Sequence, residues 1–139
     1  MPKLNIHTRI REKVRSRAAK CCEYCKSQDK YSPHTFTIDH IVPASFNGTA
    51  EMNNLAYACF LCNRLKSNKF KVYDRSADNW IPLFNPRKDI WDDHFVWDSK
   101  ATRMIGITPV GRCTIRELKL NRKKLIEYRN CLIPFGLHP

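Results

Sequence analysis

Cys22-Glu-Tyr-Cys25 and Cys59-Phe-Leu-Cys62 form two C-x-x-C pairs, and Asp39-His40-Ile-Val-Pro43 lies between them. Asn54 falls in the same interval, and Asn63 follows the second pair directly. Four thiolates from two such pairs complete a tetrahedral zinc site of the closed, structural kind, with no position left for chemistry. Zinc held in this way contributes about 10–16 kcal/mol that becomes folding free energy. The net stability of a whole domain is only about 5–15 kcal/mol. The spacing therefore predicts one zinc on Cys22, Cys25, Cys59 and Cys62, closing a loop that carries a histidine, a carboxylate and amides. A thioredoxin-like redox pair would need a βαβ setting and usually only one C-x-x-C. Disulfides would need an oxidising compartment, yet the Arg- and Lys-studded start of the chain carries no apolar leader.

Three cysteines remain. Cys21 sits beside Cys22, but only Cys22 leaves the two-residue gap of a zinc knuckle. Cys113 and Cys131 read as small apolar filler flanking or ending a helix. A reduced set of this kind suits a cytoplasmic protein, and no stretch approaches the length of a membrane span.

The charge balance points to a polyanion. Lys and Arg number 25 against 13 Asp and Glu, a net charge of +12. The excess is concentrated at the two ends. Arg9, Arg11, Lys13, Arg15, Arg17 and Lys20 face only Glu12 locally; Arg112, Arg116, Lys119, Arg122, Lys123, Lys124 and Arg129 face Glu117 and Glu127. Salt-bridged helices balance their signs, whereas phosphate binding with counterion release wants this excess. Nucleic acid is the expected partner, DNA or RNA, ahead of an anionic membrane surface. Phosphodiester hydrolysis needs a base that activates water and a cation that stabilises charge on the phosphate. His40, beside a carboxylate, is the candidate base.

The elements that must position these groups follow from periodicity. Residues 8–20 predict a helix capped by Thr8, with Ile10, Val14 and Ala18 on one side. Thr35-Phe-Thr-Ile38 alternates and reads as a short strand that delivers Asp39 and His40. Residues 43–55 read as a loop, residues 55–58 as a second strand, and residues 63–70 as a helix opening from the second knuckle. Pro82 and Pro86 suggest that residues 71–90 are mostly irregular. A strand is expected within Trp91–Trp97, and strand and turn over Ile105–Arg112. Thr114-Ile-Arg-Glu117 reads as a capping box opening a last helix, with Ile115, Leu118, Leu125 and Ile126 on one face.

Cys22-x-x-Cys25, Asp39-His40-Ile-x-Pro43, Asn54-Leu55 and Cys59-x-x-Cys62-Asn63-x-x-Lys66 resemble the HNH endonuclease motif in its four-cysteine form. The resemblance covers residues 22–66, about a third of the chain. Leu83-Phe-Asn-Pro-Arg87, Trp91-Asp-Asp-His94-Phe and Gly111-Arg112 through Asn121-Arg122 are similar to an extension found in some bacterial members. The resemblance implies an α+β fold, in which a small ββα-metal core with a four-cysteine structural zinc is flanked by basic N- and C-terminal helices. A single domain over 1–139 is expected, with the core at 22–66 and an extension at 71–139 packed on it. The resemblance further implies a DNA endonuclease in which His40 is the general base and Asn54 orients it. Asp39 and Asn63 would hold a divalent cation. Asn63 stands where the motif's name has a histidine, and two oxygen ligands favour Mg²⁺ or Mn²⁺.

Arg9, Arg11, Arg15, Lys66, Lys69, Arg116, Lys119 and Lys123 are the expected phosphate contacts. His94, between Asp93 and Phe95, is weighed as a second metal ligand and assigned instead to packing among Trp91, Phe95 and Trp97. His7, His34 and His138 have no supporting context. Two further readings stand beside the nuclease: a catalytically silent zinc-bearing nucleic-acid-binding module, and a redox or zinc-storage protein, against which the basic ends argue.

Overall fold

The computed structural model describes residues 2–139, with side chains from residue 8 onward, so the side chain of His7 lies outside the described part. Helix α1 runs Pro2–Arg17. It thus passes through Thr8, which is not its cap, because the Arg, Lys and Glu flanking that position are good helix formers. It stops at Arg17, ahead of Ala19 and Lys20, whose φ values of 53° and 62° reverse the chain. Val14 is fully buried, with Ile10 and Ala18 packed beside it as the spacing predicts. The Arg17 guanidinium then ties the helix down by donating to the carbonyls of Met52 (2.8 Å) and Leu55 (2.5 Å).

Strands β1 (Thr37–His40) and β2 (Leu55–Ala58) pair antiparallel, with Asp39 opposite Ala56 and His40 opposite Leu55. All four β2 residues are buried. β1 begins two residues later than expected, so Asp39 and His40 lie within the ladder. The period of two then sends their side chains to opposite faces: Asp39 is buried and His40 exposed. Helix α2 occupies Phe60–Lys66, earlier than the predicted 63–70. Cys59 caps it, its sulfur accepting from the Cys62 N–H, and Ser67 ends it at φ 54°, ψ −136°. β1, β2 and α2 together make a ββα unit around the four cysteines.

The rest is more regular than expected. Strands β3 (Lys71–Asp74) and β4 (Asn79–Pro82) form a hairpin where irregular chain is predicted. Pro82 pairs with Lys71 at the open end of this ladder, where a missing N–H breaks no interior bond. Helix α3 (Trp91–His94) leads into β5 (Phe95–Trp97), which pairs with β6 (Met104–Gly106).

The predicted single last helix is two: α4 (Pro109–Leu118) and α5 (Lys123–Leu132). Thr114 is no cap. Thr108 caps α4 by accepting from the Gly111 N–H at 3.1 Å, and the following Pro109 suits a helix start. Thr114 lies buried inside α4, its hydroxyl donating to the Val110 carbonyl and accepting from the Phe84 N–H. Gly111 lets α4 approach α3 closely, since a Cβ there would sit 2.1 Å from the His94 carbonyl oxygen.

The described residues thus form a mixed α+β fold of short hairpins and five helices, with a buried cysteine cluster at the ββα unit. Arg129 joins the last helix to that cluster. Fully buried, it donates to the carbonyls of Thr102, Leu120 and Cys25, and its guanidinium lies 4.9 Å from the Trp97 ring centroid. It therefore belongs to the interior and not to the basic surface. Among the described residues no helix is long and apolar enough to cross a membrane.

Candidate active site and metal centre

The first knuckle turns between α1 and β1, and the second opens α2. The sulfurs of Cys22, Cys25, Cys59 and Cys62 all lie within 4.8 Å of one another, and all four residues are buried. The Cys25 and Cys59 sulfurs are 3.8 Å apart. A tetrahedron with Zn–S bonds of about 2.3 Å has edges of about 3.8 Å, so the donor set fits zinc. Each pair also has the inward amide of a metal knuckle, Cys25 N–H on the Cys22 sulfur and Cys62 N–H on the Cys59 sulfur, both at 3.4 Å. Cys21 stands apart from the cluster, its thiol donating to the Ala19 carbonyl.

The electrostatics agree. Burial pushes the Cys22 thiol well up, whereas shared hydrogen bonds with Cys22, Cys59 and Cys62 hold the Cys25 thiol well below its ordinary value. Buried thiols so coupled gather negative charge only against a cation. Arg122 supplies part of it, reaching the Cys59 and Cys62 sulfurs at 3.6 Å. Burial works against its charge, but the facing thiolates of Cys62, Cys25 and Cys59 outweigh that and raise its pKa. In the sequence Arg122 belongs to a basic run and ends the stretch similar to a family extension; neither marks it as a lid on the cysteine cluster.

On the far side of α2 lies an open cleft of about 290 Å³, lined by Ile38, Asp39, His40, Pro43, Ala44, Asn63, Ser67 and Asn68. The His40 ring is exposed and has no hydrogen-bond partner among the described residues. The Asn63 amide donates to the Thr37 hydroxyl at 2.8 Å, which leaves its carbonyl oxygen free to accept or ligate.

Asp39 is held from behind. The Tyr24 hydroxyl donates to its Oδ2 at 2.6 Å, and the Lys66 ammonium lies 3.1 Å from Oδ2 and 3.3 Å from Oδ1. A carboxylate offers about four lone-pair sites, so these contacts leave about one, on Oδ1. Burial raises the Asp39 carboxyl above the usual range; Lys66 and Tyr24 pull it back only in part. A carboxylate oxygen and an amide oxygen would make a hard donor set, of the kind that suits a Mg²⁺-type cation keeping several waters.

Two expectations fail here. Asn54 does not reach the imidazole. Its side chain accepts from the Val42 N–H (2.9 Å) and donates to the Val42 (2.9 Å) and Thr49 (2.7 Å) carbonyls, so it clasps the loop after His40. Gly48 completes that loop, since a Cβ would fall 1.7 Å from the Val42 oxygen. Lys66 is not a phosphate contact either: it is 1% exposed and spent on Asp39 and the carbonyls of His40 and Ile41.

The expected basic surface divides. Arg15 pairs with Asp29 at 2.6 Å, Arg11 donates to the Phe36 carbonyl, Lys69 pairs with Glu117, and Arg116 pairs with Asp74 and Glu117. Arg9, Lys119 and Lys123 remain exposed cations without such a partner among the described residues. Counting charges along the sequence misses this because Asp29 and Asp74 arrive from distant segments. His94 packs against Phe84 and shares a 2.6 Å hydrogen bond with the Thr108 hydroxyl. Among the described residues the four cysteines are the one cluster of potential metal ligands of this kind.

Residues 22–69, about a third of the chain, match the family described as HNH endonuclease. No curated protein matches the chain, and no solved structure does.

Proposed function

We propose that the chain is a metal-dependent endonuclease that hydrolyses phosphodiester bonds of DNA in the cleft beside α2. The observation that carries this reading is that Asp39, His40 and Asn63 all belong to the lining of one open cleft. The match of residues 22–69 to the HNH endonuclease family supports it.

The exposed His40 imidazole accepts the proton of the attacking water, and its exposure gives that water access. Asp39 and Asn63 would hold the divalent cation, which when bound supplies Lewis-acid stabilisation of the phosphate's developing charge. Tyr24 and Lys66 fix the Asp39 carboxylate from behind, and Thr37 fixes the Asn63 amide. Asn54 shapes the loop that carries Pro43 and Ala44 along the cleft wall. The cysteine cluster holds both knuckles in place and takes no part in the chemistry. Of the expected contacts, Arg9, Lys119 and Lys123 are the ones left available to the phosphate backbone.

A second reading, a silent nucleic-acid-binding module, draws on the contacts that already occupy most of the Asp39 carboxylate. Incubating purified protein with supercoiled plasmid, with and without Mg²⁺ or Mn²⁺, separates the two. Metal-dependent nicking by wild type that is lost in His40→Ala supports the enzyme. Binding without nicking by wild type under every metal supports the module.

A further inference from the structure

An exposed strip of aromatic rings runs away from the mouth of this cleft. Ala44 lines the cleft, and Phe46 follows two residues later; Asn68 lines it, and Phe70 follows two residues later. The Phe46 and Phe70 rings meet edge to face with centroids 5.1 Å apart. Lys71 places its ammonium 5.7 Å from the Phe70 centroid and 5.6 Å from that of Trp80. Trp80 in turn meets Tyr73, its direct cross-strand partner, at 5.9 Å. The chain Phe46, Phe70, Lys71, Trp80, Tyr73 is therefore continuous across the loop, the end of α2 and the β3–β4 hairpin. It is also exposed: Phe46, Tyr73 and Trp80 show 53%, 45% and 58% of their surface.

The alternation of β3 explains the display. Val72 turns inward and is buried, which turns Lys71 and Tyr73 outward. The acids of the hairpin are occupied, Asp74 by Arg116 and Asp78 by the Tyr73 hydroxyl. Lys71 and Arg75 are left to set the sign of the strip. A row of exposed rings with a cation between them is the arrangement that stacks bases and attracts backbone phosphate. Ring faces stack only on bases whose own faces are open, which duplex bases are not.

We propose that this strip is a stacking platform for unpaired nucleotides flanking the phosphate in the cleft, so that the preferred substrate is nucleic acid with a single-stranded segment next to the cut. The proposal rests on the endonuclease reading for the position of that phosphate. The rings and Lys71 carry the binding by themselves.

The test uses the zinc-loaded 139-residue chain carrying His40→Ala, so that binding is measured without cleavage. Fluorescence anisotropy compares a labelled single-stranded oligonucleotide with the blunt duplex of the same sequence. Adding Trp80→Ala, or separately Phe46→Ala, should weaken single-strand binding about 5- to 150-fold, the range that stacking on one base supports. Duplex binding should stay unchanged, and Trp80→Phe should retain most of the single-strand affinity. Equal losses on both nucleic acids, or no loss on either, overturn the platform. So does sedimentation showing that Trp80→Ala dissolves a dimer while single-strand affinity holds, which would make the strip a surface for a second copy of the chain. Plasmid nicking by otherwise wild-type protein is read alongside. Absent nicking with selective single-strand loss removes the nuclease and keeps the platform; normal nicking without selective loss does the reverse.

Discussion

The Lys66 ammonium lies 3.1 Å from Asp39 Oδ2, and the two side chains are 1% and 3% exposed. Burial dominates both groups, lowering the Lys66 pKa and raising that of Asp39, even though each favours the other's charged form. Such a pair is costly to make and more costly to break, because removing one partner strands the other charge away from water. Its location matters as much as its energy, since Asp39 belongs to the lining of the cleft. The pair holds a cleft carboxylate in one orientation.

Lys66→Met should therefore destabilise the zinc-loaded protein by about 3–5 kcal/mol. The double variant Lys66→Met, Asp39→Asn should recover a large part of that loss, because no charge is left buried alone. Chemical denaturation of wild type, both single variants and the double completes the cycle. Additive single-variant losses would show that the two groups are not coupled.

His40→Ala should reduce plasmid nicking by about 10²–10⁴, the usual worth of a positioned general base. The side chain is exposed and makes no internal hydrogen bond, so zinc content and thermal stability should match wild type. A variant that cuts at the wild-type rate would remove His40 from the chemistry.

Asn54→Ala should act on the loop before it acts on the reaction. It deletes three side-chain hydrogen bonds to Val42 and Thr49. Leaving one or more of those backbone groups unsatisfied costs about 1–3 kcal/mol. Hydrogen exchange should quicken at the Val42 amide and its neighbours, with β2 unaffected. Nicking should fall through misplacement of Pro43 and Ala44, and by less than in His40→Ala.

Arg122→Ala should loosen the metal centre without removing a ligand. The guanidinium touches two of the four sulfurs, and outer contacts of this kind are typically worth about 10- to 100-fold in metal affinity. Competition against a chromophoric chelator should show one zinc per chain for both proteins, bound more weakly by the variant. Replacing Cys22, Cys25, Cys59 or Cys62 with Ser should instead prevent folding, whereas Cys21→Ser should leave zinc content unchanged.

Stability should also depend on pH through Tyr57 and Asp29, whose side chains share a 2.7 Å hydrogen bond. Burial, then Asp29, pushes the Tyr57 phenol up from 10.0 to about 12. A raised folded-state pKa stabilises fully below the unfolded value, so this contribution should fade as pH rises from about 10 to about 12. For Asp29, burial opposes ionisation, but hydrogen bonds from Arg15 and Tyr57 outweigh it and hold the carboxyl below its ordinary 3.8. That contribution should be present above pH 3.8 and lost as pH falls further. Tyr57→Phe should abolish the alkaline loss, as read from unfolding midpoints across the range.

What the sequence determined by itself is the pairing of four cysteines into one cluster and the identity of the groups around it. Ligand type and two-residue gaps are local properties, so Cys22, Cys25, Cys59 and Cys62 are legible without coordinates, as are Asp39 and His40 at a strand end. The β2 strand is legible too, because its four residues are apolar and bounded by turn residues. What only the tertiary structure decided are the partnerships made by segments far apart in the chain. Lys66 and Lys69 look alike in sequence, yet one is buried against Asp39 and the other pairs with Glu117 near the surface. Arg122 and Arg129 belong to the same basic run, yet one covers the thiolates and the other is sealed among carbonyls. Asn54 is a loop clasp because the chain returns to Val42 and Thr49, a path that no spacing records. The aromatic strip exists because Phe46 and Trp80 are folded onto either side of Phe70 and Lys71. Charge and hydropathy are properties of residues; burial and pairing are properties of the path, and here the path decides which cations and amides remain available for function.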